Sequence, residues 1–293
     1  MMGPLGYFEP LTVKEAVSLL GKYREKAKII AGGTDLVVMM KQRRLRPLYV
    51  ISIDRIADLD YIHLDSQNNL QIGSLATIRN IQRYPHLQPR YKLIGEAAGQ
   101  LASMAVRNVA TIGGNLCNAA PSADMAPALI GLSATIKLVS TTGERIVSLE
   151  DFFIGPGTTL LKTDELLTEI QIPAPPLYSA GVYLKMGSRG AGGLAVVGIA
   201  AIITLSSLDW SCLDAKVVLG AVAPKPMRAR KAEGMLKGEK LDKNLIENAA
   251  KSASDESSPI DDVRSSAGYR REMVKVYARD AIGQAVELAK ATI

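Results

Sequence analysis

Two pairs of adjacent glycines, each directly after a short β-branched run, set the tightest constraint on this chain: "KIIAGGTDL" at 28–36 and "VATIGGNL" at 109–116. Adjacent glycines free the backbone to turn sharply and let another backbone or a ligand approach closely. A tight strand-to-helix loop uses that freedom, and so does a cradle of backbone N–H groups around a phosphate. Neither pair fits the G-x-G-x-x-G fingerprint of a dinucleotide-binding βαβ unit, and neither is followed by the Gly-Lys-Ser/Thr of a P-loop. Thr34 and Asp35 follow one pair, and Asn115 and Asn118 follow or close the other. Two such cradles are what a long anion, such as a pyrophosphate-containing cofactor, needs. On the residues alone, turn and cradle both stay open.

Around these loops the pattern predicts mixed α and β structure. Residues 12–22 read as a helix capped by Thr12 with Glu15 completing a capping box. Strands are expected at 28–31, 48–53, from Leu70, and at 134–140, 141–148 and 165–173, with helical material over 76–104. The clustered prolines of "PAPP" at 173–176 resist helix and sheet and mark a domain boundary. Beyond it "GVYLKMGSR", "LAVVGIAAIITLS" and "DAKVVLGAVA" read as three strands of a small antiparallel sheet, followed by helices at about 228–237, 242–254 and 262–290.

The 293 residues suit two domains, and 47% hydrophobic against 22% charged residues describes a folded globular chain. Aromatic content is only 5%, so the cores are built from aliphatic side chains, and a base-stacking nucleic-acid platform is disfavoured. The net charge of +6 includes the basic run "KQRRLRP" at 41–47, which reads as a solvated helix end. Two cysteines, Cys117 and Cys212, and two histidines, His63 and His86, exclude a disulfide framework and any all-cysteine cluster in this chain. No metal site is expected. The longest apolar stretch, 194–205, is too short to span a bilayer, so no transmembrane segment and a cytoplasmic setting are expected. No serine is paired with a patterned histidine, and Asp58/Asp60 and Asp261/Asp262 read as turn and cap residues, so no catalytic acid, base or nucleophile stands out.

The stretch "AGGTDL" at 31–36, with "VRNVATIGGNLCNAAPSADMAPAL" at 106–129, resembles the FAD-binding medium subunit of the molybdenum hydroxylases, the xanthine dehydrogenase and carbon monoxide dehydrogenase family. "DELLTEIQIP" at 164–173, "YLKMGSR" at 183–189, "LGAVAPKPMRARKAEGMLKG" at 219–238 and "SSAGYRREM" at 265–273 resemble its later landmarks in the right order. The resemblance implies an α+β fold: a two-subdomain FAD-binding domain of the vanillyl-alcohol oxidase (PCMH) type over 1–176, divided near residue 55, and a small α+β C-terminal domain over 177–293 with an antiparallel sheet.

It also implies a site. Ile29, Ile30, Ala31, Gly32, Gly33, Thr34, Asp35 and Leu36 would wrap the FAD pyrophosphate with backbone N–H groups, the Thr34 hydroxyl assisting, because a Cβ would hold the phosphate off. Ala110, Thr111, Gly113, Gly114 and Asn115 would close on the cofactor from the other side. Asp124 would accept hydrogen bonds from the ribityl or ring groups, and Lys185 would favour the anionic reduced ring. Leu167 would add a contact, and Leu101 would pack where some relatives place an aromatic ring.

As a whole the resemblance implies an electron-transfer subunit of a heterotrimer, with molybdopterin–Mo in a large subunit, two [2Fe–2S] clusters in a small one, and a dimer of such trimers. FAD would pass electrons to NAD, a quinone or another acceptor. The sequence departs from the family at Gly192-Gly193, where relatives commonly carry an acidic residue, and at Thr34-Asp35, where carbon monoxide dehydrogenases tend to have His-Ser. The alternative from another enzyme class is a self-contained FAD oxidase of the same flavin fold.

Overall fold

The computed structural model describes residues 5–87, 90–188 and 192–291. The chain opens with β1 (Gly6–Phe8), α1 (Val13–Tyr23), β2 (Ala27–Ile30), α2 (Leu36–Lys41) and β3 (Tyr49–Ser52), and the three strands form a parallel sheet in the order β1-β3-β2. The Thr12 hydroxyl accepts the Glu15 N–H at 3.2 Å, while the Glu15 carboxylate reaches back to the Leu11 N–H at 2.8 Å instead of to Thr12 itself. Ala16, Val17 and Leu20 of α1 share a core with Ile51, Ile53 and Leu166, the apolar face that an amphipathic helix must bury.

Next come β4 (Ile62–Leu64), β5 (Leu70–Gly73), α3 (Ile78–Arg83), α4 (Lys92–Gln100), α5 (Met104–Arg107), α6 (Ile112–Asn118) and α7 (Met125–Gly131). They are followed by β6 (Thr135–Ser140), β7 (Gly143–Ser148), α8 (Leu149–Phe152), the two-residue-linked pair β8 (Phe153–Gly155) and β9 (Thr158–Thr159), and β10 (Leu166–Ile172). An antiparallel sheet runs β4-β5-β10-β6-β7, so the last strand inserts between β5 and β6 and ties both ends of this segment together. The helical stretch expected over 76–104 is broken, with Pro85 following α3. β4 was not foreseen from the pattern.

The remainder is β11 (Ser179–Gly187), β12 (Ala195–Leu205), β13 (Cys212–Gly220) and β14 (Met227–Arg228), an antiparallel sheet in that order, with α9 (Arg230–Leu236), α10 (Lys243–Glu256) and α11 (Ala267–Ala291). The helix expected from residue 228 starts later because Met227 and Arg228 pair with Leu219 and Val218. The one expected from 262 starts later because Asp262 and Ser265 bond each other's backbone. Arg189, Gly190 and Ala191, at the start of the glycine-rich loop, lie outside the described residues.

β12 explains its unbroken apolar run: every residue is buried. Ile199, Ala201 and Ile203 pack with Ala278, Ile282 and Ala285 of α11, while Ala200 and Ile202 join the core of the N-terminal part beside Leu129 and Ile136. A strand covered on both faces has no polar face to alternate with. The approach is close, since a Cβ on Gly131 would lie 2.2 Å from the Ile202 side chain. No helix among the described residues is long and apolar enough to cross a membrane.

Entry to β10 is anchored by Glu165, which is 6% exposed. Its carboxylate accepts from Arg145 Nε at 2.8 Å, from Arg145 Nη2 at 2.9 Å and from the Lys162 N–H at 2.9 Å. The Arg145 hydrogen bonds hold the Glu165 carboxyl below its usual range, against its desolvation. A carboxyl depressed in the folded state contributes stability that is present above its unfolded pKa and lost as pH falls through the folded one. Urea midpoints measured from about pH 6 to pH 3 should therefore fall more steeply in the wild type than in Arg145→Met, which lacks the contribution to lose.

Candidate functional site

The two Gly-Gly loops meet. A Cβ on Gly32 would sit 1.8 Å from the Val109 carbonyl oxygen and 3.1 Å from the Ala110 Cα. Gly113 is pressed on Ser74, where a Cβ would lie 2.7 Å from the serine Cβ, and its N–H donates to the Ser74 carbonyl at 2.9 Å. The Ser74 N–H in turn donates to Thr168 O of β10, at 2.9 Å. Each of these two glycines is required by the protein's own backbone, and for Gly32 this replaces the expected reason, a phosphate that a Cβ would hold off. Gly33 sits at φ 68°, a left-handed conformation that glycine adopts without the Cβ penalty. Of the four, Gly114 has the fewest neighbours, a Cβ there pressing only on Thr111 Oγ1, at 3.0 Å.

The loops differ in what they leave free. Among the described residues, the N–H groups of Gly32, Gly33, Thr34 and Asp35 make no hydrogen bond within the chain. In the second loop Gly113, Gly114 and Asn115 N–H groups are taken by Ser74 O, Thr111 Oγ1 and Thr111 O, so Thr111 acts as the N-cap of α6. That corrects a symmetric picture of two backbone cradles. The second loop offers side chains instead, for Asn115 Oδ1 is buried without a partner, as is Ser74 Oγ. Free amides on one side and orphaned polar atoms on the other fit a polar cofactor lying against both loops.

Asp124, at the start of α7, and Lys185, on β11, form a fully buried pair at 2.9 Å with side-chain exposures of 6% and 1%. Tyr183 O–H donates to the other Asp124 oxygen at 2.8 Å, and Lys185 also donates to Gln100 O at 2.8 Å. Burial pushes the Asp124 carboxyl above its ordinary value, opposed by Lys185 and Tyr183. Burial next to Asp124 drives the Tyr183 phenol well above its ordinary value. Each carboxylate oxygen keeps a second lone pair, so both residues belong first to this network and have limited capacity left for a ligand.

The other expected residues are placed unevenly. Ile29, Ile30 and Ala31 are half-buried beside the first loop, and Leu36 opens α2, whose Val37, Val38 and Met39 are exposed. Leu101 is buried at the end of α4, next to Gln100. Leu167 is a core leucine at the β10 bulge, next in sequence to Thr168, whose carbonyl accepts the Ser74 N–H. Ser74, Gln100, Tyr183 and Arg107 were not singled out from sequence. Tyr183 could have been, since residues two apart on a strand share a face with each other, here with Lys185. Arg107 holds Leu101 O and Ala102 O, both at 2.8 Å.

Comparison with known proteins gives this arrangement its class. The family model described as the FAD binding domain in molybdopterin dehydrogenase matches residues 3–175, and that of the CO dehydrogenase flavoprotein C-terminal domain matches 182–285. The chain is 36% identical over 275 residues to the glyceraldehyde dehydrogenase medium chain of Sulfolobus acidocaldarius, covering 94% of this chain and 96% of that one. It is 33% identical over 288 residues to the carbon monoxide dehydrogenase medium chain of Afipia carboxidovorans, covering 98% and 99%. A structure of carbon monoxide dehydrogenase from Hydrogenophaga pseudoflava, lacking the Mo-pyranopterin moiety of its cofactor, superposes with a TM-score of 0.92 at 32% identity, covering 97% of this chain and 98% of that one. The chain therefore belongs to the family of FAD-binding medium subunits of molybdenum hydroxylases, the flavoprotein components of molybdenum-dependent dehydrogenases.

Breaking the buried pair is expected to be costly. Asp124→Asn leaves the Lys185 ammonium buried without its counter-charge, and Lys185→Met does the same to Asp124, each by about 3–5 kcal/mol in denaturant unfolding. The double variant Asp124→Asn/Lys185→Met should lose clearly less than the sum of the two, because neither charge then stays alone. Additive losses would show that the pair is not coupled.

Proposed function

We propose that this chain is the electron-transfer subunit of a heterotrimeric molybdenum hydroxylase, receiving electrons from [2Fe–2S] clusters of a small partner and delivering them to an external acceptor. Substrate oxidation belongs, in this reading, to a large molybdopterin subunit. The observation that carries the proposal is the set of four free N–H groups at Gly32–Asp35, where Gly32 abuts Val109 and Ala110 just before the second Gly-Gly loop, with no paired nucleophile and base among the described residues. FAD, when bound, supplies the ability to exchange one or two electrons, which no protein side chain here can.

The chain's own residues then bind and orient. Backbone N–H groups of Gly32, Gly33, Thr34 and Asp35 would hold the pyrophosphate, favoured by its negative charge. Asn115 would satisfy its buried oxygen on a donor of the cofactor, and the Gly114 side would face it. Asp124, Tyr183, Lys185 and Gln100 would wall the site with a fixed, fully buried polar network. The exposed apolar side chains of α2 beside the first loop support a face covered by a partner subunit. A dimer of heterotrimers in the cytoplasm completes the proposal.

The self-contained oxidase is less well supported. His63 and His86 are exposed, each against a tyrosine ring, and burial pushes the Cys117 thiol up to about 12, leaving it protonated at neutral pH. Mildly purified protein should thus show flavin absorbance together with molybdenum, iron and two further chains. Substrate turnover by the flavin-loaded chain alone would instead establish the oxidase. For the site itself, Gly114→Leu should reduce FAD content at least about tenfold, and much more than Gly114→Ala, which brings the same Cβ against Thr111 Oγ1 without the larger side chain. Full FAD occupancy in Gly114→Leu would place the cofactor elsewhere.

A further inference from the structure

Alanine avoids the left-handed backbone because its Cβ crowds the carbonyl oxygen. Three alanines around the site nevertheless adopt it: Ala102 at φ 43°, Ala119 at 46° and Ala221 at 65°. In each case the carbonyl is held by a donor from another segment. Arg107 donates to Ala102 O at 2.8 Å, the Gly157 N–H to Ala119 O at 3.0 Å, and Arg270 to Ala221 O at 3.0 Å. Strained residues persist only where their surroundings over-determine them, and they gather at functional sites.

The third clamp reaches furthest. Arg270 lies in the first turn of α11 and is 2% exposed. Its Nη2 pairs with Asp262 at 2.6 Å, and Arg264 holds the other Asp262 oxygen at 2.6 Å, so the guanidinium is fixed from behind. In front of it the Ala221 N–H donates to Pro121 O at 2.9 Å. Pro121 sits in the segment 119–124, which joins the helix carrying Gly114 and Asn115 to Asp124. The direction of the Ala221 N–H is set by the left-handed conformation that Arg270 holds.

We propose that Arg270 is a positioning residue for the cofactor site: it holds Ala221 left-handed so that the Ala221 N–H fixes the 119–124 segment between Gly114 and the Asp124–Lys185 pair. The consequence for the cofactor rests on the flavin reading above; the hydrogen-bond path does not. A space-filling residue at 270 would not need a fork that reaches a carbonyl and a carboxylate at once, and a guanidinium does. Arg270 also leaves its own Nε buried without a partner, so its two remaining contacts outweigh an unmet donor.

The test uses the full chain and two readouts, amide hydrogen exchange over 119–124 and FAD affinity. Arg270→Gln is expected to speed that exchange and weaken FAD binding, each about tenfold, with β12 amides unchanged. Ala221→Gly, which adopts φ 65° without a Cβ penalty, should restore most of both in the Arg270→Gln background. Unchanged exchange at 119–124, or a loss that Ala221→Gly does not rescue, overturns the proposal, since Arg270 would then be core packing alone. Should Arg270→Gln not fold, Asp262→Asn makes the same comparison with a smaller shift. A wild-type chain that takes up no FAD overturns the flavin reading; faster exchange in Arg270→Gln would still support the path, and unchanged exchange would still sink it.

Discussion

The contact between Lys185 and Asp124 joins a strand of the C-terminal sheet to the segment that follows the second Gly-Gly loop, with both charges withdrawn from water. Removing two charges from water costs several kcal/mol per ion, and their attraction offsets this only when geometry is good and the remaining hydrogen-bonding capacity is met. Here Tyr183 and Gln100 O meet most of it. Cohesion between the two parts comes instead from the apolar core in which Ala200, Ile202 and Val218 join Leu129 and Ile136. Apolar packing tolerates small sliding; a buried pair with fixed partners does not. The pair therefore sets the register in which the sheet docks, and the wall of the candidate site follows from that register.

The same logic recurs around the loops. Gly32 on Val109 and Gly113 on Ser74 bring backbones together more closely than any side chain allows. This joins the parallel sheet, the central antiparallel sheet and the second loop into one rim, and leaves the Gly32–Asp35 amides without partners inside the chain. Gly32, Gly33 and Thr34 are half-buried and Asp35 is exposed, so these donors face water until an acceptor takes them, which is the physical content of the flavin proposal. The left-handed alanines at 102, 119 and 221 belong to the same pattern of strain, Ala102 held by nearby Arg107 and the other two by donors far along the chain.

Two electrostatic seams outside the site brace this arrangement. Arg228 makes a two-pronged contact with buried Glu233 at 2.9 and 2.7 Å, and with Arg230 it reaches Glu150 across the junction between the parts. Lys216 bonds Ser133 nearby. A separate relay runs from Asp262 through Arg270 and Ala221 to Pro121, so α11 is linked to the 119–124 segment through the Ala221 backbone.

What the sequence determined by itself was local and periodic. Thr12 and Glu15 announced a helix start, the aliphatic runs announced strands, and the ordered series of motifs from "AGGTDL" to "SSAGYRREM" carried family, fold and cofactor class. Tertiary structure decided everything that depends on what lies opposite. Which glycines face a ligand and which face Val109 or Ser74 is invisible in a string, because a missing Cβ looks the same in both cases. The resemblance proposed Asp124 and Lys185 as site residues, but their pairing across 61 positions, with Tyr183 and Gln100, was not legible. The short strands β4 and β14 and the clamp of Arg270 on Ala221 were equally hidden. Their hydrogen-bond partners lie far along the chain, and local propensity carries no information about a partner that only the fold brings near.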